Sequence, residues 1–522
     1  MFKLICAVAL LAVSTAQADT IYVDADCPGG DGSEQNPYCS IQTAIDNAVD
    51  TDEIVVAPGT YFETINFLGK AVTLRSSDGA DVTIIDGTGF FHVVQCVSGE
   101  GPDTVLHGFR ITGGNANGSF PDNFGGGMFI DNGSPTVANC WFIGNTASGG
   151  GGMANEVSSP TVTNCIFSGN IGSGGGGMSN RGHSSPTVTN CTFSGNASVI
   201  GGGLLNYFNS SPTVIGCVFS NNIADFLNGS QGGGMYNEGS DPTVIGCTFR
   251  ANSTGGGFAA AGGGVFNDDS NPTITNCTFI LNLVGGIFSY NSCPTVTNSI
   301  LWNNLGYQIL DYDSSAASTV NFSNVQSGWP GAGSNNIDAD PLFVAENSDF
   351  RLSPGSPCID AGDNTAVPED ITTDLDGNPR FVDDPDTADT GFGDPPIVDM
   401  GAYEYQGIPC PWDLDSDGNV FVMDLLLLLM DFGICDGSPA DFDGDGCVTV
   451  VDLLTLMFNF GPCPDGGCPW DVNGDGTVDK ADLWQVLGNQ GPCDGCAEDV
   501  NGDGVVNGQD AAAVATHFGA CP

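Results

Sequence analysis

The chain has 522 residues, and its 62 Asp and Glu against 9 Lys and Arg give a net charge of −53. That length allows roughly two to four domains, and the acidic excess argues against nucleic acid or an anionic membrane as partner and for divalent cations, a saline medium or plain solubility. The 77 glycines recur at fixed places where tight turns use them, so they punctuate structure and do not mark a disordered linker.

Residues 1–18 have the build of a secretory signal: Lys3, the apolar stretch Leu4–Val13 and the small-residue site Ala16-Gln17-Ala18, with the mature chain expected from Asp19. No later segment reaches the roughly 20 apolar residues a membrane span needs. The run Leu425–Leu429 is short and ends at Asp431. A secreted or cell-surface location, where disulfides persist, is therefore expected.

Residues 19–124 read as opening coils. Ile21–Val23 is a strand, Ser40 caps a short helix through Val49, and Cys27 and Cys39 bracket a Gly-rich loop and are expected to form a disulfide. Short strands follow at Ile54–Val56, Val72–Leu74, Thr83–Ile85, Val93–Val94 and Thr104–Leu106, each ended by a turn residue.

Residues 125–310 are organised by seven copies of a stretch like PTVTNCTFSGN, opening at Pro135, Pro160, Pro186, Pro212, Pro242, Pro272 and Pro294, 22 to 30 residues apart. Each copy divides into a Gly-Gly-Met strand (Met128, Met153, Met178, Leu204, Met235, Val265), a Pro-Thr-Val strand and a Cys-x-Phe strand. Such short strands cannot pair as hairpins, because like residues return only after a full period. They pair in parallel with the next coil about 4.8 Å away. Val, Cys, Phe and Met then point inward, Asn190 marks a bend, and Asn170, Asn196 and Asn222 are placed for a stacked amide ladder. The column Cys140, Cys165, Cys191, Cys217, Cys247 and Cys277 is expected to hold free, buried thiols, because stacked parallel side chains fit disulfide geometry poorly. Contact with a ligand is expected in the variable loops Asn222–Gly234 and Ser253–Gly264.

This pattern resembles the right-handed parallel β-helix, pectate-lyase-like superfamily, over roughly residues 20–405. Residues 311–406 hold the C-terminal coils and cap: Ile337–Gly362, then DLDGNPRF (Asp374–Phe381) and VDMGAYEY (Val398–Tyr405), resemble the end region of large exported bacterial β-helix proteins. The superfamily includes pectate lyases, galacturonases and non-catalytic surface proteins. A lyase-like site needs a base beside calcium, but Arg75, Arg110, Arg181, Arg250 and Arg351 are scattered, with Arg110 and Arg250 the candidates for a groove. A galacturonase-like site is not matched: Asp268-Asp269 is a pair, but Gly182-His183 runs into Ser184. No catalytic residue is assigned.

After Gln406–Pro409 come four acidic loops. Their candidate ligands are Asp413, Asp415, Asp417, Asn419 and Asp424; Asp441, Asp443, Asp445, Cys447 and Asp452; Asp471, Asn473, Asp475, Thr477 and Asp482; and Asp499, Asn501, Asp503, Val505 and Asp510. Carboxylates or amides at loop positions 1, 3, 5 and 12, a backbone carbonyl at 7 and Gly at 6 form the oxygen pattern that suits calcium, so up to four Ca2+ are expected. Each loop runs into an apolar helix, Asp424–Phe432, Asp452–Phe460, Asp482–Leu487 and Asp510–Phe518, with none before it. Cysteines 25 residues apart (Cys410 and Cys435, Cys468 and Cys493, Cys496 and Cys521) frame the first, third and fourth units, and Cys447 is placed to pair with Cys463 in the second.

Loop plus following helix, with Asp at position 12, resembles the type I dockerin module, here as two modules at 407–465 and 466–522. The resemblance implies docking to a cohesin-like protein or a cell-envelope component through helix faces. The fold expected is mainly β: a right-handed parallel β-helix solenoid followed by small α-helical calcium-loop modules. Two functions are compatible with it. One is a non-catalytic adhesive or glycan-contacting rod attached through these modules; the other is a polysaccharide lyase or glycoside hydrolase tethered by them.

Overall fold

The computed structural model describes residues 18–225, 229–255, 261–345, 347–384 and 387–407, and beyond them 412, 414, 419–420, 422–433, 438, 440, 442, 447–462 and isolated residues from 477 to 520. These fall into two compact units, the main division lying between Tyr405 and Gln406. The signal-like segment up to Gln17 lies outside the described residues.

In the first unit three strands per coil pair with their counterparts in the next coil, giving a parallel β-helix. A threonine face of 12 strands runs from Thr20–Val23 to Thr319–Asn321, a phenylalanine face of 11 from Gly59–Tyr61 to Asn324–Val325, and a methionine face of 10 from Ile65–Asn66 to Ile309–Asp311. Register is kept from coil to coil, so Val162, Val188 and Val214 form one column and Phe167, Phe193 and Phe219 another. Alternation turns one residue in two inward. The Val, Cys, Phe and Met columns are buried as expected, and the Phe rings stack 4.6 to 4.8 Å apart with planes within 5° of parallel. The strand spacing sets that distance.

The bend at Asn190 is a left-handed residue with φ +53°, matched by Asn139, Asn164, Asn276 and Asn298, while Gly216 and Gly246 take the place in the two coils without Asn. The amide ladder forms from Asn145 to Asn304, with side-chain Nδ2 to Oδ1 distances of 2.8 to 3.3 Å. Each Oδ1 also accepts the backbone N–H of the Asn one coil earlier, as from Asn196 to Asn222 at 3.1 Å. Two further ladders were not read from sequence. One links Asn155, Asn180, Asn206, Asn237 and Asn267 inside the methionine face. The other runs through the serines two residues before each proline, Ser158, Ser184, Ser210, Ser240, Ser270 and Ser292, each hydroxyl accepting the N–H of the Ser one coil earlier.

The cysteine column is buried and unpaired, as expected, but it is not merely apolar filling. Each Sγ accepts the N–H of the Cys one coil earlier, as from Cys165 to Cys191 at 3.3 Å, and donates to a carbonyl two residues back, as Cys191 to Thr189 at 3.2 Å. Ser299 and Ser323 continue the same ladder with hydroxyls. Burial pushes the Cys165, Cys217 and Cys247 thiols up, which keeps them protonated donors.

The N-terminal end is closed by helix α1, Ile41–Asn47, whose Ile41, Ala44 and Ile45 enter the core. Ser40 caps it through Thr43 N–H, and the helix stops two residues before Val49, where Lys70 Nζ donates to the carbonyls of Ile45, Asp46 and Ala48. The Cys27–Cys39 disulfide is present. The opening strands lie within a few residues of expectation, Val93–Val94 shifting to Val94–Cys96, while Gly59–Tyr61, Ile65–Asn66 and Arg110–Thr112 complete the coils.

The segment after Ile337 folds back along the flank. Asn276 donates to Asp399 O at 3.0 Å, Gly401 to Asn298 O at 2.8 Å, and Asn298 exchanges two bonds with Asp363. Ile300, Phe322, Leu352, Cys358, Ile359 and Met400 form a core there. Arg380, fully buried, donates to the carbonyls of Gly401 and Ala402 and lies 3.8 Å from Glu404. The DLDGNPRF and VDMGAYEY stretches are thus the fastening of this flank.

Candidate functional site

Charged and aromatic side chains occupy the last position of the methionine-face strands, half-buried from Asp131 to Asp268 and exposed at Tyr290. Parallel register stacks Asp131, Glu156, Arg181, Tyr207, Glu238, Asp268 and Tyr290 in one outward row. Neighbours in such a row are about 4.8 Å apart at the backbone. The residues two positions earlier share this outward side but are covered: Leu205, Tyr236, Phe266 and Phe288 form a second apolar layer with Ala261. That layer lies beside the row, and Tyr207 packs against it.

Within the row the charges are partly neutralised and held by rings. The Arg181 guanidinium lies 4.8 Å from the Phe124 ring and 5.2 Å from Tyr207, with its Nε 3.9 Å from Glu156. Tyr236 donates to Glu238 Oε2 at 3.1 Å. Burial raises the Glu156 carboxyl against the pull of Arg181, and burial with the charges of Asp269 and Glu238 raises that of Asp268. Phe208, Tyr290 and Tyr312 are exposed beside them. Aromatic faces next to carboxylates and one cation are the surfaces on which sugar rings stack and hydrogen-bond.

This row was missed in sequence because its members differ in type from copy to copy. The signal was positional: each follows the buried third residue of the Gly-Gly-Met strand, Asn in five copies. Arg110 and Arg250 do not join it. They stand on the phenylalanine face, Arg110 over the Trp141 ring at 5.2 Å and Arg250 over Phe350 at 5.5 Å. Asp268 belongs to the row, while Asp269 sits in the turn with φ +48°, and His183 is an exposed turn residue with φ +66°. The loops Asn222–Gly234 and Ser253–Gly264 each contain residues outside the described set.

In the second unit the described parts are two helices, α2 at Val422–Asp431 and α3 at Val450–Phe458, which begin two residues before the expected Asp424 and Asp452. Each Asp thereby sits in the first turn, where a carboxylate favours the helix. Both are fully buried, and both close their loops in the same way: Leu414 N–H donates to Asp424 Oδ1 and Phe442 N–H to Asp452 Oδ1, each at 2.7 Å. Thr449 N–H adds a bond to Asp452 Oδ2, completing a capping box. Val420, Leu428, Ala440, Val448 and Leu456 make a small core. Cys447 is disulfide-bonded. Of the other candidate ligands, Asn419, Thr477 and Val505 lie in two-residue strands. Asp413, Asp415, Asp417, Asp441, Asp443, Asp445, Asp471, Asn473, Asp475, Asp482, Asp499, Asn501, Asp503 and Asp510 lie outside the described residues, as do Cys410, Cys435, Cys463, Cys468, Cys493, Cys496 and Cys521.

A family model described as "Right handed beta helix region" matches residues 102–225 and 155–325. No curated protein matches the chain. Among solved structures the chain is similar to pectate lyase Pel9A, at 16% identity and a TM-score of 0.45 over 74% of this chain and 97% of that one. It is also similar to a rhamnogalacturonan lyase, at 14% identity and a TM-score of 0.31 over 63% and 91%. A pectin methylesterase from carrot matches at 11% identity and a TM-score of 0.29 over 62% and 84%. The family match and the three parallel sheets agree on a right-handed parallel β-helix. No helix among the described residues is long and apolar enough to cross a membrane.

Proposed function

We propose that the protein is an exported, non-catalytic rod that contacts a glycan along the outer row of its methionine face and is fastened through C-terminal calcium modules of dockerin type. The observation that carries the first part is the row itself: Tyr207 and Tyr290 as stacking surfaces, Arg181 held between two rings, and Glu156, Glu238 and Asp268 as hydrogen-bond acceptors. The anchoring part is supported by the matched closure of the Asp424 and Asp452 loops. It is supported also by the apolar outer faces of α2 and α3, where Met423, Met430, Val450, Met457 and Phe458 are exposed. Exposed apolar surface of this kind suits a protein partner, a cohesin-like one on the dockerin reading. Calcium, held by Asp424, Asp452 and their loop partners, would supply the charge that lets these short loops close.

A second reading, polysaccharide cleavage, is favoured by one observation. Glu238 and Asp268 are register neighbours, and Asp268 has a raised carboxyl, the arrangement of an acid beside a second carboxylate. The test is incubation with acidic and neutral polysaccharides, followed by assays for reducing ends and unsaturated products. The rod reading expects retention on one polysaccharide with no product. Product that disappears in Glu238→Gln and Asp268→Asn, but survives in Arg110→Ala and Arg250→Ala, would establish the enzyme instead.

A further inference from the structure

The flank segment carries a carboxylate cluster that neither the row nor the calcium loops use. Asp360, Asp383 and Asp389 each offer one oxygen, and the three oxygens lie within 4.8 Å of one another. Asp360 is fully buried, while Asp383 and Asp389 are exposed.

Asp360 is locked in place by its backbone. It has φ +51°, a left-handed conformation that Asp adopts more readily than most residues. Its carbonyl accepts the N–H groups of Thr390 and Gly391 at 2.9 and 3.0 Å, and its own N–H donates to Asp399 Oδ1 at 2.8 Å. Its Oδ2 accepts Asp384 N–H at 3.2 Å, but its Oδ1 is buried with no hydrogen-bond donor. Such an oxygen costs free energy unless a proton or a cation meets it. The charges acting on Asp360 are those of Asp383, Asp389 and Asp384, carboxylates all. The nearby buried cation, Arg380, is turned to Glu404 and the carbonyls of Gly401 and Ala402. Two oxygens bound to one calcium at about 2.3–2.6 Å stand no more than about 5 Å apart, so the cluster has the dimensions of a calcium site.

We propose that Asp360, Asp383 and Asp389 bind one calcium ion in the flank segment, with the orphaned Asp360 Oδ1 as its inner ligand and the two exposed carboxylates closing over it. The ion then ties Asp383 and Asp389 to the residue that the flank core already holds. This site is separate from the C-terminal loops and from the glycan row.

The test counts bound calcium on the full chain with disulfides intact, by equilibrium dialysis, for wild type, Asp383→Asn/Asp389→Asn, and the control Glu369→Gln/Asp370→Asn. Both pairs are exposed and remove the same charge. The expected result is one calcium fewer per chain in the Asp383/Asp389 variant and an unchanged count in the control. Because the readout is a difference, it does not depend on how many C-terminal loops are filled. An unchanged count in the first variant, or an equal loss in both, overturns the site. In crystals soaked with manganese, an anomalous peak bridging the three carboxylates is the positional counterpart, and its absence from well-ordered carboxylates would contradict the proposal.

Discussion

The cysteine ladder shows how much one side chain can be asked to do. Cys191 fills the core, accepts Cys165 N–H and donates to Thr189 O, and four coils on the same task falls to Ser299. Cys191→Ser should therefore change stability by less than about 1 kcal/mol, whereas Cys191→Ala, which leaves a buried N–H unpaired, should cost about 1–3 kcal/mol. Urea unfolding of the two variants decides this, and equal losses would return the thiol to simple filling. The column was legible from its spacing of three after Val188 and two before Phe193; the ladder was not, because a thiol's hydrogen bonds leave no mark in sequence until Ser appears in its place. His92 gives a pH test at the same scale. It is buried against Phe129, with Nδ1 3.1 Å from Gly125 O, and burial lowers its pKa against the pull of Asp122. A histidine that binds a proton less readily when folded than when unfolded contributes stability above the ordinary imidazole value of about 6.5. That stability is lost as pH falls below it. The drop in urea midpoint between pH 7 and pH 5 should be smaller in His92→Gln than in wild type; equal drops would show that His92 does not titrate in this range.

At the scale of the element, the coil is one repeating unit whose inner columns carry the stability. Phe193 stacks between Phe167 and Phe219 at 4.8 Å on each side, so Phe193→Ala removes two ring contacts and opens a cavity. The expected cost is about 3–5 kcal/mol. Because each coil is supported only by its neighbours, amide exchange should rise in the adjacent coils first; uniform exchange along the chain would contradict nearest-neighbour support. The coils were readable in sequence from Pro135 to Pro294 because every strand repeats its inward residues. The flank was not, because Asp360, Arg380 and Asp399 act through backbone carbonyls and N–H groups far apart in the chain, with no period to reveal them. In the second unit the two helices were legible from the apolar runs after Asp424 and Asp452, and helix starts two residues early follow from those Asp residues acting in the first turn. Calcium at 100 times its Kd adds about 2.7 kcal/mol to a domain that binds it only when folded. Chelation should therefore lower a calorimetric transition of the full chain by about 10 °C or more; an unshifted trace would refute calcium binding.

For the whole molecule, the inner columns repeat, and so does the outward threonine column from Thr161 to Thr295, while the outer row of the methionine face does not. Val, Phe, Asn, Ser and Cys return coil after coil because each serves the same core or corner. Asp131, Glu156, Arg181, Tyr207, Glu238, Asp268 and Tyr290 occupy equivalent places with different chemistry, as residues under another requirement would. That contrast is the reason for placing glycan contact on the methionine face, and it makes the rod's function separable from its stability. The most direct measurement is binding of the full chain to an array of extended polysaccharides, compared with Tyr207→Ala/Glu238→Gln/Tyr290→Ala. The account predicts binding to at least one polymer, lost by ten-fold or more in the triple variant while the melting temperature of the solenoid stays the same. Undiminished binding by the triple variant, or no binding by the wild-type chain to any polymer, would contradict it.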